Sequence, residues 1–135
     1  MKMPHLPQRK VLIIEEDPSV RDALLKLLAG LGCDTDVAPS GKQAIDIIRS
    51  EKFDAVLLDL RCAHAQAEEV VPTIQSVRPS LLANVLVITG EVADARTLDL
   101  IERYLLLQVP GNGPIQAMAA TLRVLLRLPP VLKNA

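Results

Sequence analysis

Three short runs of apolar residues, each followed directly by a polar side chain, constrain the fold of this chain most strongly. The runs are Val11–Ile14, Ala55–Leu58 and Val85–Ile88, and the residues that follow them are Glu15, Asp59 and Thr89. A run with no polar position is typical of a strand that is covered on both faces of a parallel sheet. The chain is therefore predicted to contain a parallel β-sheet with helices on both sides.

The segments between the runs carry apolar residues at helical spacing. Asp17 is predicted to cap and Pro18 to open a first helix that ends at Gly32, and Ser40 is predicted to cap a second helix. Two weaker strands complete the alternation, over residues 33–38 and 105–109. Val70, Ile74 and Val77 mark a third helix. A helix that carries Leu98 and Ile101 precedes the last strand, and an amphipathic helix that begins near Ile115 follows it.

Five strands alternating with five helices predict a flavodoxin-like (βα)5 three-layer sandwich with a five-stranded parallel sheet. Residues 10–127 are expected to form this one domain, with residues 1–9 as an N-terminal tail and residues 128–135 as a C-terminal tail or linker. In such sheets, ligands bind beyond the carboxyl ends of the strands. The polar residues that follow the apolar runs are therefore the candidate functional residues.

Composition excludes several classes of function. The 15 basic and 16 acidic side chains give a net charge of -1, and only two residues are aromatic, so direct nucleic-acid binding is not expected. Residues 104–122 carry no charge, but Pro110 and Pro114 interrupt them, so no membrane span is predicted. Cys33 and Cys62 have no metal-ligand spacing, which favours reduced thiols and a cytoplasmic location.

The first strand ends in three consecutive acids, Glu15, Glu16 and Asp17, and the third ends at Asp59. Carboxylates brought together at one sheet edge repel one another unless a cation joins them. Magnesium is bound by one or two carboxylates together with waters and phosphate oxygens, so these strand ends could provide part of a magnesium site. Taken alone, the three acids could equally form a solvated loop with a helix cap.

Three motifs together resemble the receiver domain of two-component response regulators: V-L-I-I-E-E-D-P-S-V-R, F-D-A-V-L-L-D-L-R and V-L-V-I-T-G. The resemblance implies that Asp59 accepts a phosphoryl group from a histidine kinase and that Thr89 senses it. It also implies a bound Mg2+, with Glu16 and Asp59 as direct ligands, Glu15 as a water-mediated ligand and the backbone carbonyl of Arg61 as a further ligand.

The chain departs from the pattern of this family at several positions. The family places a lysine at the end of strand five, where this chain has Val109 or Leu107, depending on the register. Arg61 is the only nearby candidate for a substitute, and we expect its side chain to lie in solvent. Glu16 replaces the usual aspartate. The loop after Asp59 reads L-R-C-A-H-A-Q-A, where we expect His64 to be solvated and Cys62 to pack as a small residue.

Two functions remain open at this point. The first is a non-enzymatic signalling domain that is phosphorylated on Asp59 by a sensor histidine kinase or a phosphotransfer protein and acts on a downstream protein partner. The resemblance also allows a homodimer through the fourth and fifth helices. The second is a degenerate receiver that acts as a phosphorylation-independent protein-protein interaction module. A flavin-binding enzyme of the same architecture is disfavoured, because the acids after strand one would repel a phosphate.

Overall fold

The computed structural model describes residues 8–61, 64–90 and 94–128. The strands are β1 (Lys10–Ile14), β2 (Asp34–Ala38), β3 (Ala55–Asp59), β4 (Val85–Thr89) and β5 (Leu107–Pro110). The helices are α1 (Pro18–Gly30), α2 (Gly41–Ser50), α3 (His64–Val77), α4 (Ala95–Tyr104) and α5 (Ile115–Leu125), and a 3-10 helix (Pro79–Asn84) precedes β4.

All neighbouring strands are parallel, in the order β2-β1-β3-β4-β5. The predicted flavodoxin-like sandwich on a five-stranded parallel sheet is confirmed. The strand order reverses between β1 and β3, which places the carboxyl ends of these two strands at the switch point where such sheets bind ligands.

Alternate side chains of the central strands face opposite layers, because successive residues of a strand point to opposite sides. Leu12, Val56 and Leu58 belong to a buried cluster with residues of α2, α3 and α4. Val11 and Leu57 belong to the other cluster, which includes residues of α1 and α5. The three central strands are thus covered on both faces, as their apolar runs predicted.

Two predicted helix caps are confirmed by their hydrogen bonds. Asp17 Oδ1 accepts from the backbone N–H of Ser19 at 2.9 Å, and Ser40 Oγ accepts from the backbone N–H of Gln43 at 3.2 Å. Each cap satisfies an N–H group that has no partner within its own helix. No helix in the described part of the chain is both long enough and apolar enough to cross a membrane.

The prediction for strand five was wrong at its start. α4 ends at Tyr104, and Leu105 adopts a left-handed conformation with φ 54°, so its N–H group bonds back to the last turn of the helix. The strand begins two residues later than predicted, at Leu107. Two large apolar side chains on these last helices, Leu98 of α4 and Ile115 of α5, are 45% and 49% exposed.

Candidate functional site

Three polar side chains are buried at the carboxyl ends of the central strands. Glu15 directly follows β1, Asp59 ends β3 and Thr89 ends β4, and their exposed fractions are 3%, 3% and 6%. The strands bring them to one edge because β1 pairs with β3 and β3 pairs with β4, with Asp59 opposite Ile88. Residues that are distant in the sequence therefore converge on one rim of the sheet, as expected from the motifs.

The Asp59 carboxylate is held by Arg61, two residues further along the chain. Arg61 Nε donates to Asp59 Oδ1 at 2.9 Å, and Arg61 Nη2 donates to Asp59 Oδ2 at 2.7 Å. The backbone N–H of Arg61 also donates to Oδ1, at 2.9 Å. The prediction that the Arg61 side chain lies in solvent holds only in part: the residue is exposed and its side chain is 32% exposed, but its guanidinium forms a bidentate pair with a nearly buried carboxylate.

The surroundings shift the pKa values of Asp59 and Glu15 in opposite directions. Burial by itself would raise the pKa of Asp59, but the hydrogen bonds from Arg61 outweigh it and hold that pKa below its usual value. Burial and, to a smaller extent, the neighbouring Asp59 carboxylate together raise the pKa of Glu15 to about 7. Asp59 is therefore charged at neutral pH, and Glu15 is about half protonated there.

The Glu15 carboxyl group is only partly satisfied by hydrogen bonds. Its Oε1 accepts from the backbone N–H of Asp17 at 3.0 Å, whereas its Oε2 is buried with no hydrogen-bond partner in the described part of the protein. An ionised oxygen without a partner is costly to bury, which agrees with the raised pKa of this group. Glu15 thus lies beside Asp59 as a second carboxyl group that favours its protonated form.

The hydroxyl group of Thr89 faces strand five. Thr89 Oγ1 donates to the backbone carbonyl of Val109 at 3.4 Å, a long hydrogen bond. The backbone carbonyl of Thr89 accepts from the N–H of Gly111 at 2.7 Å, which fixes the start of the loop after β5 against the end of β4. Thr89 therefore lies at the site, and a weak hydrogen bond directs its hydroxyl toward the neighbouring strand.

The end of β5 contributes no charge to the site. Val109 is opposite Ile88 in β4 and is 6% exposed, and Leu107 is 43% exposed.

The Arg61 guanidinium lies against the loop that follows β5. A Cβ atom built on Gly111 would be 2.6 Å from Arg61 Nη1 and 2.8 Å from Arg61 Cζ. Sequence reasoning missed Gly111, because no local pattern connects it with Arg61.

The residues expected to bind a magnesium ion are brought together only in part. Glu16 is exposed, while Glu15 is buried beside Asp59. Both oxygens of Asp59 accept hydrogen bonds from Arg61, and within residues 8–61, 64–90 and 94–128 no three His, Cys, Asp or Glu side chains are grouped to hold a metal ion. Carboxylate and carbonyl oxygens are the ligands that magnesium prefers, but here the Arg61 guanidinium occupies both oxygens of Asp59.

Part of the predicted loop after Asp59 lies outside the described residues. This applies to Cys62 and to the side chain of His64, so neither prediction for these side chains is tested. Cys33 is a free thiol, partly buried, and burial raises its pKa. A thiol with a raised pKa is a weak nucleophile, which agrees with a packing role.

Comparison with known proteins identifies the family. Residues 11–104 match the model of the response regulator receiver domain. Response regulator MprA of Mycolicibacterium vanbaalenii is 29% identical over 120 residues, which cover 87% of this chain and 50% of MprA. The transcriptional regulatory protein ZraR of Escherichia coli is 33% identical over 71 residues, or 53% of this chain and 16% of ZraR. The chain thus spans at most about half the length of these curated relatives.

A solved structure supports the same fold at low sequence identity. The receiver domain of sensor histidine kinase PA1611 from Pseudomonas aeruginosa has a TM-score of 0.77 at 14% identity, covering 90% of this chain and 99% of that domain. That receiver domain has a magnesium ion coordinated in its active site cleft. The family match extends over more than half of the chain and includes both Asp59 and Thr89. This chain therefore belongs to the receiver domain family of the response regulators of two-component systems.

Proposed function

We propose that this domain is a non-enzymatic, cytoplasmic signalling module that accepts a phosphoryl group on Asp59 from a sensor histidine kinase or a phosphotransfer protein. The observation that carries the proposal is the state of Asp59. Its carboxylate ends the central strand β3 at the switch point of the sheet, and the pKa of Asp59 is below its usual value, so the nucleophile is ionised at neutral pH.

The chemistry required of the protein is limited. An oxygen of Asp59 attacks the phosphorus of a phosphohistidine, the new O–P bond forms as the N–P bond breaks, and the donor histidine leaves with the bonding electron pair. Such a transfer depends mainly on positioning and on the neutralisation of charge. The buried position of Asp59 fixes the nucleophile, and the nearby guanidinium of Arg61 supplies positive charge.

The acyl phosphate would act by changing the hydrogen bonds at the rim of the sheet. Thr89 Oγ1 holds the carbonyl of Val109 only at 3.4 Å, so little is lost when the hydroxyl turns toward a phosphoryl oxygen. That rotation would release β5 from one contact with β4 and shift the population of conformations recognised by a downstream protein partner. Within this proposal, Thr89 is the residue that senses the phosphoryl group.

Magnesium binding is proposed separately from phosphoryl transfer. The magnesium ion in the PA1611 receiver domain supports a divalent cation as a cofactor in the family. In this chain Glu15, Glu16, Asp59 and the backbone carbonyl of Arg61 are the groups proposed to bind it. Glu16 is exposed and Arg61 holds both oxygens of Asp59, so these groups would bind the ion only after the guanidinium has left the carboxylate.

One set of observations favours a second candidate function, a degenerate receiver that binds a protein partner without phosphorylation. β5 is uncharged at both positions where the family could have its lysine, Val109 and Leu107, and Arg61 already occupies the Asp59 carboxylate. A site of this kind can be stable without any phosphorylation of Asp59. The second function therefore predicts that the protein is never phosphorylated.

Intact-mass measurement after incubation with a small phosphodonor distinguishes the two functions. We expect the wild-type chain to gain one phosphoryl group, with and without Mg2+ in the buffer. The matched control is Asp59→Asn, which keeps the size of the side chain and removes the nucleophile, and it should gain nothing. If neither wild type nor Asp59→Asn gains mass under any condition, or if both gain the same mass, phosphoryl acceptance on Asp59 is refuted and the second function is retained.

A further inference from the structure

Arg61 differs from an ordinary surface arginine in how completely it is bound. Its side chain is 32% exposed and reaches a carboxylate that is 3% exposed. The guanidinium makes hydrogen bonds to both oxygens of Asp59, at 2.9 and 2.7 Å, in the side-by-side geometry that a planar fork allows. Bidentate pairs of this kind are among the strongest hydrogen-bonded contacts in proteins.

Two glycines, Gly90 and Gly111, lie along the path of the Arg61 side chain. A Cβ atom on Gly90 would lie 3.8 Å from Arg61 Cγ, which is ordinary contact, so the stem of the side chain passes over the end of β4. A Cβ atom on Gly111 would lie 2.6 Å from Nη1, closer than Cβ atoms come to their neighbours in proteins, so the guanidinium would have to shift if residue 111 carried a side chain. With glycine there, the guanidinium rests on the bare backbone of the loop after β5.

Arg61 brings a positive charge to a buried carboxylate without an added ion. Its guanidinium donates to both oxygens of Asp59, whose exposed fraction is 3%. A divalent cation would have to displace the guanidinium from Asp59 before it could bind there.

We propose that Arg61 is the resident counterion of Asp59, in place of a divalent cation, and that its guanidinium supplies to a phosphoryl group the positive charge that β5 lacks. The fork that fits two carboxylate oxygens also fits two phosphoryl oxygens. Arg61 can therefore pass from one to the other while it remains seated on Gly111. The second half of this inference rests on the proposed function, whereas the first half does not.

Titration calorimetry with Mg2+, in the absence of any phosphodonor, tests the first half. We expect wild type to bind Mg2+ about tenfold or more weakly than Arg61→Gln, because the ion must compete with ionic hydrogen bonds in wild type. Gly111→Ala should behave like Arg61→Gln, since its methyl group removes the seat of the guanidinium without changing a charge. Equal affinities in wild type and Arg61→Gln overturn the inference.

Gly90→Ala is the matched control for Gly111→Ala. It adds the same methyl group against the same side chain, but at 3.8 Å from Cγ, where there is room. It should therefore bind Mg2+ as weakly as wild type does. If Gly90→Ala and Gly111→Ala strengthen binding equally, the effect does not arise from the seat at Gly111 and the assignment is wrong. Circular dichroism confirms that each variant is folded.

Phosphorylation in the presence of a metal chelator tests the second half. We expect wild type to gain its phosphoryl group at a rate that Mg2+ changes less than about twofold, whereas Arg61→Gln should lose about tenfold or more in the chelator. Arg61→Lys, which keeps the charge without the fork, should fall between them. Equal rates in wild type and Arg61→Gln overturn this half. If no variant is phosphorylated, the proposed function fails, and the calorimetry still decides the first half.

Discussion

Replacing Glu15 with glutamine should remove a large part of the pH dependence of stability above about pH 5. The Glu15 carboxyl group is 3% exposed, its Oε2 has no hydrogen-bond partner in the described part of the protein, and its pKa is raised from 4.5 to about 7. The folded state therefore holds a proton that the unfolded state has already released. Stability is highest where both states are protonated and falls as the pH rises through the folded-state pKa.

The size of the effect follows from the two pKa values. A pKa raised from 4.5 to about 7 differs by about 2.5, and each pKa unit corresponds to about 1.4 kcal/mol, which gives about 3 kcal/mol. Almost all of this loss is complete by about pH 8, and roughly three-quarters of it falls between about pH 5 and pH 8. For a domain of this size, about 3 kcal/mol corresponds to about 10 °C in melting temperature.

Urea unfolding at several pH values between about 5 and 8 measures the effect. Glu15→Gln mimics the protonated form, so we expect it to exceed wild type by somewhat less than about 1 kcal/mol near pH 5 and by about 3 kcal/mol near pH 8. The control is Glu16→Gln, which makes the same chemical change at the exposed neighbour and should follow the wild-type curve. If the curves of wild type and Glu15→Gln are parallel, Glu15 does not hold a proton in the folded state, and the described electrostatics of the site are wrong.

Two further predictions concern local structure. Asp17→Ala should lower the free energy of unfolding by about 1 kcal/mol, because Ser19 and Val20 lose their cap, whereas Asp17→Asn should retain most of it; urea unfolding compares the two variants. Leu105→Gly should raise the free energy of unfolding by up to about 1 kcal/mol, because Leu105 is 85% exposed and has a φ of 54°. Leu105→Ala keeps a Cβ atom and should show no such gain, so an equal gain in both variants would count against backbone strain.

The parts of the fold that could be predicted are those specified by short-range patterns. Runs such as Val11–Ile14 have no polar position, and this leaves a strand buried on both faces as the simplest structure. Strand five could not be delimited in the same way. Leu105, Leu106 and Leu107 are all apolar, and only the left-handed turn at Leu105 separates helix from strand. Because leucine is rarely found in that conformation, no sequence signal predicts the turn there.

In the candidate site, the positions of the residues at the strand ends could be predicted, but the direction of the Arg61 side chain could not. The positions of Glu15, Asp59 and Thr89 follow from the rule that the ends of parallel strands meet at one edge, and all three are buried there. The direction of Arg61 depends on a contact with the backbone of Gly111, which comes from a distant part of the chain. A long, flexible side chain in a loop has many rotamers, and only the folded surroundings select one of them.

Because Arg61 is joined to Asp59 through the backbone, two residues away, its positive charge is present beside the carboxylate at any concentration of free cations. A charge on a short tether is present at an effective concentration in the millimolar range, however dilute the free ions are. Dialysis or sequestration of ions cannot remove it, since the peptide backbone carries it. The positive charge beside this carboxylate is consequently supplied by the protein itself.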